Sequence, residues 1–344
     1  MRVRLFADPF SAPRNTCSSS DDDDDDDTDP WGAVSATAYA IVIIANVALN
    51  PLVVVAVARV AKLRRNLTNW FVAGLSVASV ATATSFVVAL VTTAFLPDPP
   101  ENLCLFLLAD IAVTGAASVN MLLLVTADRY VSIVHPLRYR HVVTAARAKV
   151  AIGVAWLLSV VVGSLAYVGE RWEVGSCCLF EFVVGEALVL TLAALFVVYG
   201  SLMLFMYATI FRAARAHARR RTSGDSVVAR TDFRRKVNSA TTYFVVVIAY
   251  VLLCAPLNVI AVTVLYAELE PPLNTLRRVG YLLFYTGPAV YPLIIAARMR
   301  DYRQAFVQLL PGLTSATAAD ANGADGAETS ASNRVEPSPV VDRF

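Results

Sequence analysis

SVNMLLLVTADRYVSIVHPLRY, the stretch from Ser118 to Tyr139, is the part of the sequence that decides the fold class. It is an apolar helical run that reaches Asp128-Arg129-Tyr130 and then, after a short spacer, Pro136-Leu137-Arg138-Tyr139. A carboxylate, a guanidinium and a phenol in a row are costly inside lipid, but water, headgroups or a partner can solvate them at the mouth of a membrane helix. An isolated triplet of this kind would be explained by ordinary flanking charge at a helix end.

The composition indicates a membrane protein. Of the 344 residues, 57% are hydrophobic and only 16% are charged, and the mean hydropathy is +0.59. A soluble domain of this length needs far less apolar surface. The net charge of +2 gives no indication of a nucleic-acid partner. The opening MRVRLFADPF lacks the apolar segment of a signal peptide, so the first membrane helix is expected to act as its own signal.

Seven apolar runs are long enough to cross about 30 Å of hydrocarbon. They lie near residues 33–58, 68–95, 103–127, 149–169, 182–211, 238–266 and 277–297. The sequence therefore predicts an all-α membrane protein, a seven-transmembrane helix bundle within residues 33–298. An odd number of crossings places the two chain ends on opposite sides of the membrane.

The distribution of charge predicts the orientation. Lys and Arg cluster after spans one, three, five and seven, whereas the acidic run Asp21 to Asp27 lies on the other side. The positive-inside rule then places the N-terminus outside the cell and the C-terminus in the cytoplasm. We expect a multi-pass plasma-membrane protein with Asp128-Arg129-Tyr130 at the cytoplasmic face.

The regions outside the spans are predicted from their composition. Residues 1–32 contain the acidic run and are expected to form a disordered extracellular tail. Residues 299–310, MRDYRQAFVQLL, carry apolar side chains at spacings of three and four, which predicts a short amphipathic eighth helix on the membrane surface. Residues 311–344 are rich in Ala, Ser, Asp and Gly and are expected to form a disordered cytoplasmic tail.

Over about residues 33–310, the chain resembles the rhodopsin-like G-protein-coupled receptors. Besides the triplet and its Pro-Leu-x-Tyr, the residues that carry the resemblance are Asn50, Leu75, Ser118, Trp156, Tyr207, Pro256 and Pro292. The resemblance implies a receptor that binds an extracellular ligand and activates a heterotrimeric G protein, and it implies no enzyme activity, cofactor or metal. The coupling residues it implies are Asp128, Arg129, Tyr130, Pro136, Leu137, Tyr207 and Lys236.

The resemblance also implies how the coupling residues act. Asp128 would hold Arg129 in the resting state and release it when span six swings outward to admit the C-terminal helix of the G protein. Tyr207 would support the open form from span five. Lys236 stands where an acidic residue often pairs with this arginine, so no such lock to span six is expected.

Several family signatures are missing. Ser79 replaces the sodium-binding Asp of span two, and Tyr199 replaces a common Pro of span five. Span six reads Cys254-Ala255-Pro256 without the usual Trp, and span seven reads Tyr291-Pro292-Leu293-Ile294-Ile295 in place of Asn-Pro-x-x-Tyr. These departures imply an activation relay that is rebuilt or weakened, and with it constitutive or biased activity.

The cysteines allow one bridge on the oxidising outer side. The family joins the start of span three to the loop after span four, which implies that Cys104 pairs with Cys178 or Cys177. The spare loop cysteine could bond Cys17 or stay free. Cys254 is expected to be a small buried apolar residue.

The ligand pocket is predicted by position in the outer half of the bundle. Amine receptors carry an Asp where this chain has Ile111, and Asp110 lies about 100° further round the helix, which weakens an amine assignment. The pocket candidates are Asp110, Ile111, Gly115, Thr191, Asn258, Tyr281 and Tyr285, with Glu186 at the outer end of span five. Small and aromatic residues with few charges favour an uncharged, largely apolar small molecule.

The subfamily stays open on sequence grounds. Asn120, Ile152-Gly153-x-x-Trp156 and the adjacent loop cysteines are similar to divergent odorant-type receptors, which suggests a chemosensory role. An orphan amine, peptide or lipid receptor and a non-coupling receptor-like scaffold are the alternatives. A transporter is less favoured because no internal repeat and few charges within the spans are present.

Overall fold

The computed structural model describes residues 30–96, 100–169, 178, 180–219, 227–266 and 271–309. Within them the helices are α1 (Pro30–Arg59), α2 (Ala61–Arg64), α3 (Leu67–Phe95), α4 (Glu101–Val134), α5 (Pro136–Val142), α6 (Ala145–Ser164), α7 (Phe180–Val183), α8 (Glu186–Arg219), α9 (Val227–Tyr266), α10 (Pro271–Arg298) and α11 (Arg300–Leu309). The acidic run Asp21 to Asp27 and the tail 311–344 lie outside the described residues.

Seven of these helices are long and apolar enough to cross a membrane, namely α1, α3, α4, α6, α8, α9 and α10. The predicted all-α, seven-helix fold is therefore confirmed. Helix α4 lies at the centre, because it packs against α3, α6, α8 and α9, while α1 and α10 close the bundle against each other. We refer to the two ends of the bundle as the Cys104 end and the Arg129 end.

Polar side chains begin several helices. The side chain of Asn66 accepts a hydrogen bond of 3.2 Å from the N–H of Thr68 and caps α3. Thr144 caps α6 in the same way by accepting from the N–H of Arg147 at 3.4 Å. Pro136 occupies the first turn of α5, where a missing N–H costs nothing.

A buried amide compensates for a proline in α10. Pro292 has no N–H to give the carbonyl of Pro288 one turn earlier. The side-chain nitrogen of Asn50, on α1, donates to that carbonyl at 3.1 Å. Asn46 donates in turn to the carbonyl of Tyr285 at 3.2 Å. Two asparagines of α1 thus satisfy the backbone of α10 and fix the contact between the two helices.

The central helix is longer than the sequence indicated. The apolar run was expected to end near residue 127, with Asp128-Arg129-Tyr130 at a solvated mouth. Helix α4 instead continues to Val134, and Asp128 and Arg129 are buried. The triplet is inside a helix because neighbouring elements supply polar partners for it, so solvent is not needed.

The amphipathic helix predicted at 299–310 is confirmed as α11. Its apolar face, with Tyr302 and Ala305 buried, packs against the core of the bundle, and Phe306 lies against the same core. Its polar face exposes Arg303 and Gln304. Helix α11 therefore covers the Arg129 end of α1 and α10.

Candidate functional sites at the two ends of the bundle

At the Arg129 end, Asp128 is the centre of a buried polar network. Nη2 of Arg129 lies 3.1 Å from Oδ2 of Asp128. The hydroxyl of Thr68, on α3, donates to the same oxygen at 2.5 Å and accepts from Nη2 of Arg129. The hydroxyl of Tyr139, on α5, donates to the other carboxylate oxygen at 2.8 Å. Both oxygens of Asp128 are thus engaged by Arg129 on the same helix and by groups from two neighbouring helices, α3 and α5, which stabilises a buried charge.

Tyr139 is suited to a donor role in this network. Its burial and the adjacent Asp128 carboxylate raise the pKa of the phenol well above its ordinary value. The hydroxyl therefore stays protonated at physiological pH and can donate to Asp128. The Pro-Leu-x-Tyr pattern in the sequence did not indicate this role for Tyr139.

Three buried tyrosines lie within electrostatic reach of Arg129. The guanidinium carbon lies 5.7 Å from the centroid of the Tyr243 ring, within the range of a cation–π contact. Tyr207 and Tyr302 are fully buried and also interact electrostatically with Arg129. The hydroxyls of Tyr243 and Tyr302, like Nε of Arg129, have no hydrogen-bond partner among the described residues, whereas the hydroxyl of Tyr207 lies near the side chain of Thr126. Helices α8, α9 and α11 thus each place one buried phenol within electrostatic reach of the guanidinium.

At the Arg129 end of the bundle, α9 is held by the charge of Arg235 and not by that of Lys236. Lys236 is exposed. Its neighbour Arg235 places Nη2 2.5 Å from Oδ2 of Asp301 on α11, and Nζ of Lys62 on α2 lies 2.8 Å from Oδ1. Burial alone would raise the pKa of the Asp301 carboxyl, but the hydrogen bonds and charges of Lys62 and Arg235 outweigh it and lower that pKa.

The other predicted coupling residues lie around this network. Tyr130 is half-buried, with its ring 5.8 Å from that of His135. Pro136 begins α5, and Leu137 beside it is almost fully exposed. These residues form the rim of the Arg129 end, while Asp128, Arg129 and Tyr207 form its interior.

A cavity of about 310 Å³ occupies the interior nearer the Cys104 end. Its walls come from α3, α4, α6, α8, α9 and α10, and its aromatic lining residues are Phe180, Phe196, Tyr199, Tyr250, Tyr281, Phe284, Tyr285 and Tyr291. The polar lining is sparse and includes Thr82, Asn120 and Asn258. The side-chain nitrogen of Asn258 donates to the carbonyl of Cys254 at 2.9 Å.

Five of the seven predicted pocket residues line this cavity: Ile111, Gly115, Asn258, Tyr281 and Tyr285. The other two lie beside it. Asp110 accepts a hydrogen bond from the hydroxyl of Ser85 and so joins α4 to α3. Thr191 is half-buried on α8 but is not part of the lining. The acidic group considered for an ammonium ligand is therefore engaged between helices.

A disulfide shapes the cavity at the Cys104 end. Cys104 bonds Cys178, with the two Cα atoms 5.6 Å apart, and Cys177 lies outside the described residues. The bond brings the segment after Cys178 onto α4, so that Phe180 becomes part of the lining. Phe180 was not among the predicted pocket residues; its position two residues after Cys178 is the sequence feature that could have identified it.

The floor of the cavity is formed without a tryptophan. Cys254, a buried free thiol, stands there with Tyr250 and Tyr291. The small side chain lets the cavity extend down to Pro288 and Tyr291 on α10. The wall formed by α10 could have been identified from its aromatic residues, which recur on one face of the helix: Tyr281, Phe284, Tyr285 and Tyr291.

A seven-helix membrane bundle with a lined cavity near one end and a buried Asp-Arg network at the other has the architecture of a membrane receptor. The sequence profile of the rhodopsin-family seven-transmembrane receptors matches residues 49–294. The chain belongs to this family and is a multi-pass membrane receptor.

Several adenosine receptors are similar to this chain over most of its length. The adenosine receptor A2a of Cavia porcellus is 30% identical over 298 residues, which cover 77% of this chain and 73% of that receptor. The A2a receptor of Homo sapiens is 29% identical over 300 residues, covering 77% and 72%. The adenosine receptor A2b of Canis lupus familiaris is 28% identical over 287 residues, covering 77% and 86%. The odorant-type assignment finds no support here, since these relatives are adenosine receptors.

Proposed function

We propose that the chain is a G-protein-coupled receptor in which a small molecule bound in the cavity controls access to the Arg129 end. The Cys104 end would face outward and the Arg129 end the cytoplasm, as the charge distribution indicates. The observation that carries the proposal is the Asp128–Arg129 pair, 3.1 Å apart and buried under Tyr243 of α9. A moving α9 would uncover this pair for a G protein.

The cavity favours a flat, uncharged ligand. Aromatic rings stack on planar ligands, and the lining has many rings and few polar groups. An ammonium ligand is disfavoured because Ile111 lines the cavity while Asp110 is bonded to Ser85. Since the relatives are adenosine receptors, adenosine is the first compound to test, followed by other planar heteroaromatic molecules.

Coupling is tested in cells that express the full chain with reporters of G-protein dissociation. We expect a basal or adenosine-induced signal that Arg129→Ala abolishes, whereas Arg303→Ala, an exposed arginine on α11, leaves it intact. A chain that reaches the cell surface yet dissociates no G protein, with or without ligand, would contradict the coupling proposal. Tags at both chain ends that report the same side of the membrane would contradict the orientation.

The ligand is tested separately. If adenosine binds the cavity, Phe180→Leu lowers its potency, whereas Phe106→Leu, an exposed residue of α4 outside the lining, does not. A basal signal that depends on Arg129 but does not respond to adenosine would retain coupling and reject adenosine as the ligand.

A further inference from the structure

The wall of the cavity on the α6 side is also part of the outer surface of the bundle. Leu158, Val161 and Val162 of α6 line the cavity. Leu158 and Val161 are nevertheless 48% and 56% exposed. In a membrane-spanning helix such exposure faces lipid, so the cavity reaches the hydrocarbon region between α6 and α8.

The packing of α6 explains this opening. On one side of the opening, the side-chain nitrogen of Asn120 on α4 donates to Ser159 Oγ at 3.0 Å and to the Ala155 carbonyl at 3.1 Å. On the other side, Gly163 fits so closely against α4 that an added Cβ would lie 2.3 Å from a methyl of Val113. Both contacts hold α6 on α4, and α6 meets α8 far less extensively than it meets α4.

The side of the opening formed by α8 is also apolar. Leu192, Leu195 and Phe196 of α8 line the cavity, and so does Tyr199 one turn after Leu195. The amide nitrogen of Asn120 is already engaged by α6, so it offers little to a water molecule there. An apolar space that opens to hydrocarbon gains dispersion contacts when a hydrocarbon chain fills it, and water would lack partners in it.

We propose that one acyl chain of a bilayer phospholipid enters between α6 and α8, past Leu158 and Val161, and occupies the arm of the cavity beside Gly115 and Val119. The occupant is a lipid chain because the opening lies within the membrane-spanning part of both helices. This chain would share the cavity with the ligand, so ligand affinity would depend on the bulk of the lipid chains. This lipid site goes beyond the proposed function, because it depends on the seven-helix fold and not on the identity of the ligand or on G-protein coupling.

The test uses the full-length receptor in nanodiscs of phosphatidylcholine whose acyl chain carries a diazirine. On irradiation this group loses dinitrogen, and the resulting carbene inserts into a nearby bond. We expect label on the α4 peptide at Gly115 and Val119, which line the cavity from inside. Leu158→Trp closes the opening and should reduce this label severalfold. Leu157→Trp is the matched control, since Leu157 is exposed on the same turn of α6 but lies outside the lining.

A second pair of variants tests the same opening in case Leu158→Trp does not fold. Val161→Phe should also reduce the α4 label, whereas Val160→Phe, an exposed neighbour outside the lining, should not. The thermal unfolding temperature of each variant identifies any that has lost its structure. Absence of label on Gly115 and Val119 in the unchanged receptor, or equal label in both members of each pair, would overturn the proposal. The measurement involves no signalling, so its outcome is independent of ligand identity and coupling.

Discussion

Nη2 of Arg235 and Oδ2 of Asp301 lie 2.5 Å apart, which ties the Arg129 end of α9 to α11. The same carboxylate is 2.8 Å from Nζ of Lys62, so one acid holds two segments. The side chains of Arg235 and Lys62 are 62% and 59% exposed, and ion pairs in such settings contribute about 0–1 kcal/mol. That small energy suits a contact that must open whenever α9 moves.

Asp301→Asn should raise basal G-protein activation, because it removes the charge that holds α9 in the resting arrangement. A loss of about 0.5–1 kcal/mol corresponds to a rise of up to about fivefold in the population with α9 displaced. Asp232→Asn, an exposed acid on α9, is the control and should change nothing. Arg235→Gln should raise the signal no further in the Asp301→Asn background, because the ion pair that it would break is already absent. An Asp301→Asn variant with an unchanged basal signal would count against this role.

The ion pairs of Asp301 with Arg235 and Lys62 should not change within the physiological pH range. The Asp301 pKa is lowered from an ordinary value of about 3.9, chiefly because Lys62 and Arg235 outweigh the effect of burial. A carboxyl group whose pKa is lower in the folded than in the unfolded protein stabilises the fold at pH values above its unfolded pKa. That stabilisation is lost only as the pH falls through the pKa of the folded state. The ratio of basal activity between Asp301→Asn and the unchanged receptor should therefore stay constant from about pH 8 to about pH 6 in isolated membranes. A ratio that approaches one at the acidic end would contradict this expectation.

The ring of Tyr243, rather than its hydroxyl, is expected to hold Arg129 toward α9. Tyr243→Phe keeps the face on which the guanidinium lies and should leave the position of α9 unchanged. Tyr243→Leu removes a cation–π contact of about 0.5–2 kcal/mol and should displace α9 outward in a larger fraction of molecules. Spin labels on the Arg129 ends of α4 and α9 measure this distance directly in the purified receptor. Equal distance distributions in the two variants would show that the ring has no such role.

Sequence patterns predicted the helices more fully than the contacts between them. The spans follow from apolar length alone, because each helix in lipid must satisfy its own backbone. Length does not determine which face of one helix meets another. Thr68 and Asp128 are 60 positions apart, and the sequence around each residue did not indicate that they share a hydrogen bond. Cys104 and Cys178 were paired through family resemblance, which carries spatial information that apolar length lacks.

The same limit explains the sites that were missed. Lys236 was predicted only to form no lock with Arg129. The neighbouring Arg235 pairs instead with Asp301 on α11, a helix outside the bundle. Asp110 precedes Ile111 on α4, but its bond to Ser85 depends on the rotation of α3 and has no signature in the sequence. Such rotations are determined by packing between helices that are uniformly apolar in sequence.

The hydrogen bond from Asn50 to the carbonyl of Pro288 offers a test of how α1 supports α10. Asn50→Leu leaves that carbonyl buried without a donor, since Pro292 has no N–H, and should cost about 1–3 kcal/mol. Pro292→Ala restores an N–H at the position that an unbroken helix would use for the same carbonyl. Asn50→Leu should therefore lower the thermal unfolding temperature less in the Pro292→Ala background than alone. Additive effects in this double-mutant cycle would mean that Asn50 stabilises the receptor through other contacts, such as its bond to the Asn46 side chain at 3.2 Å.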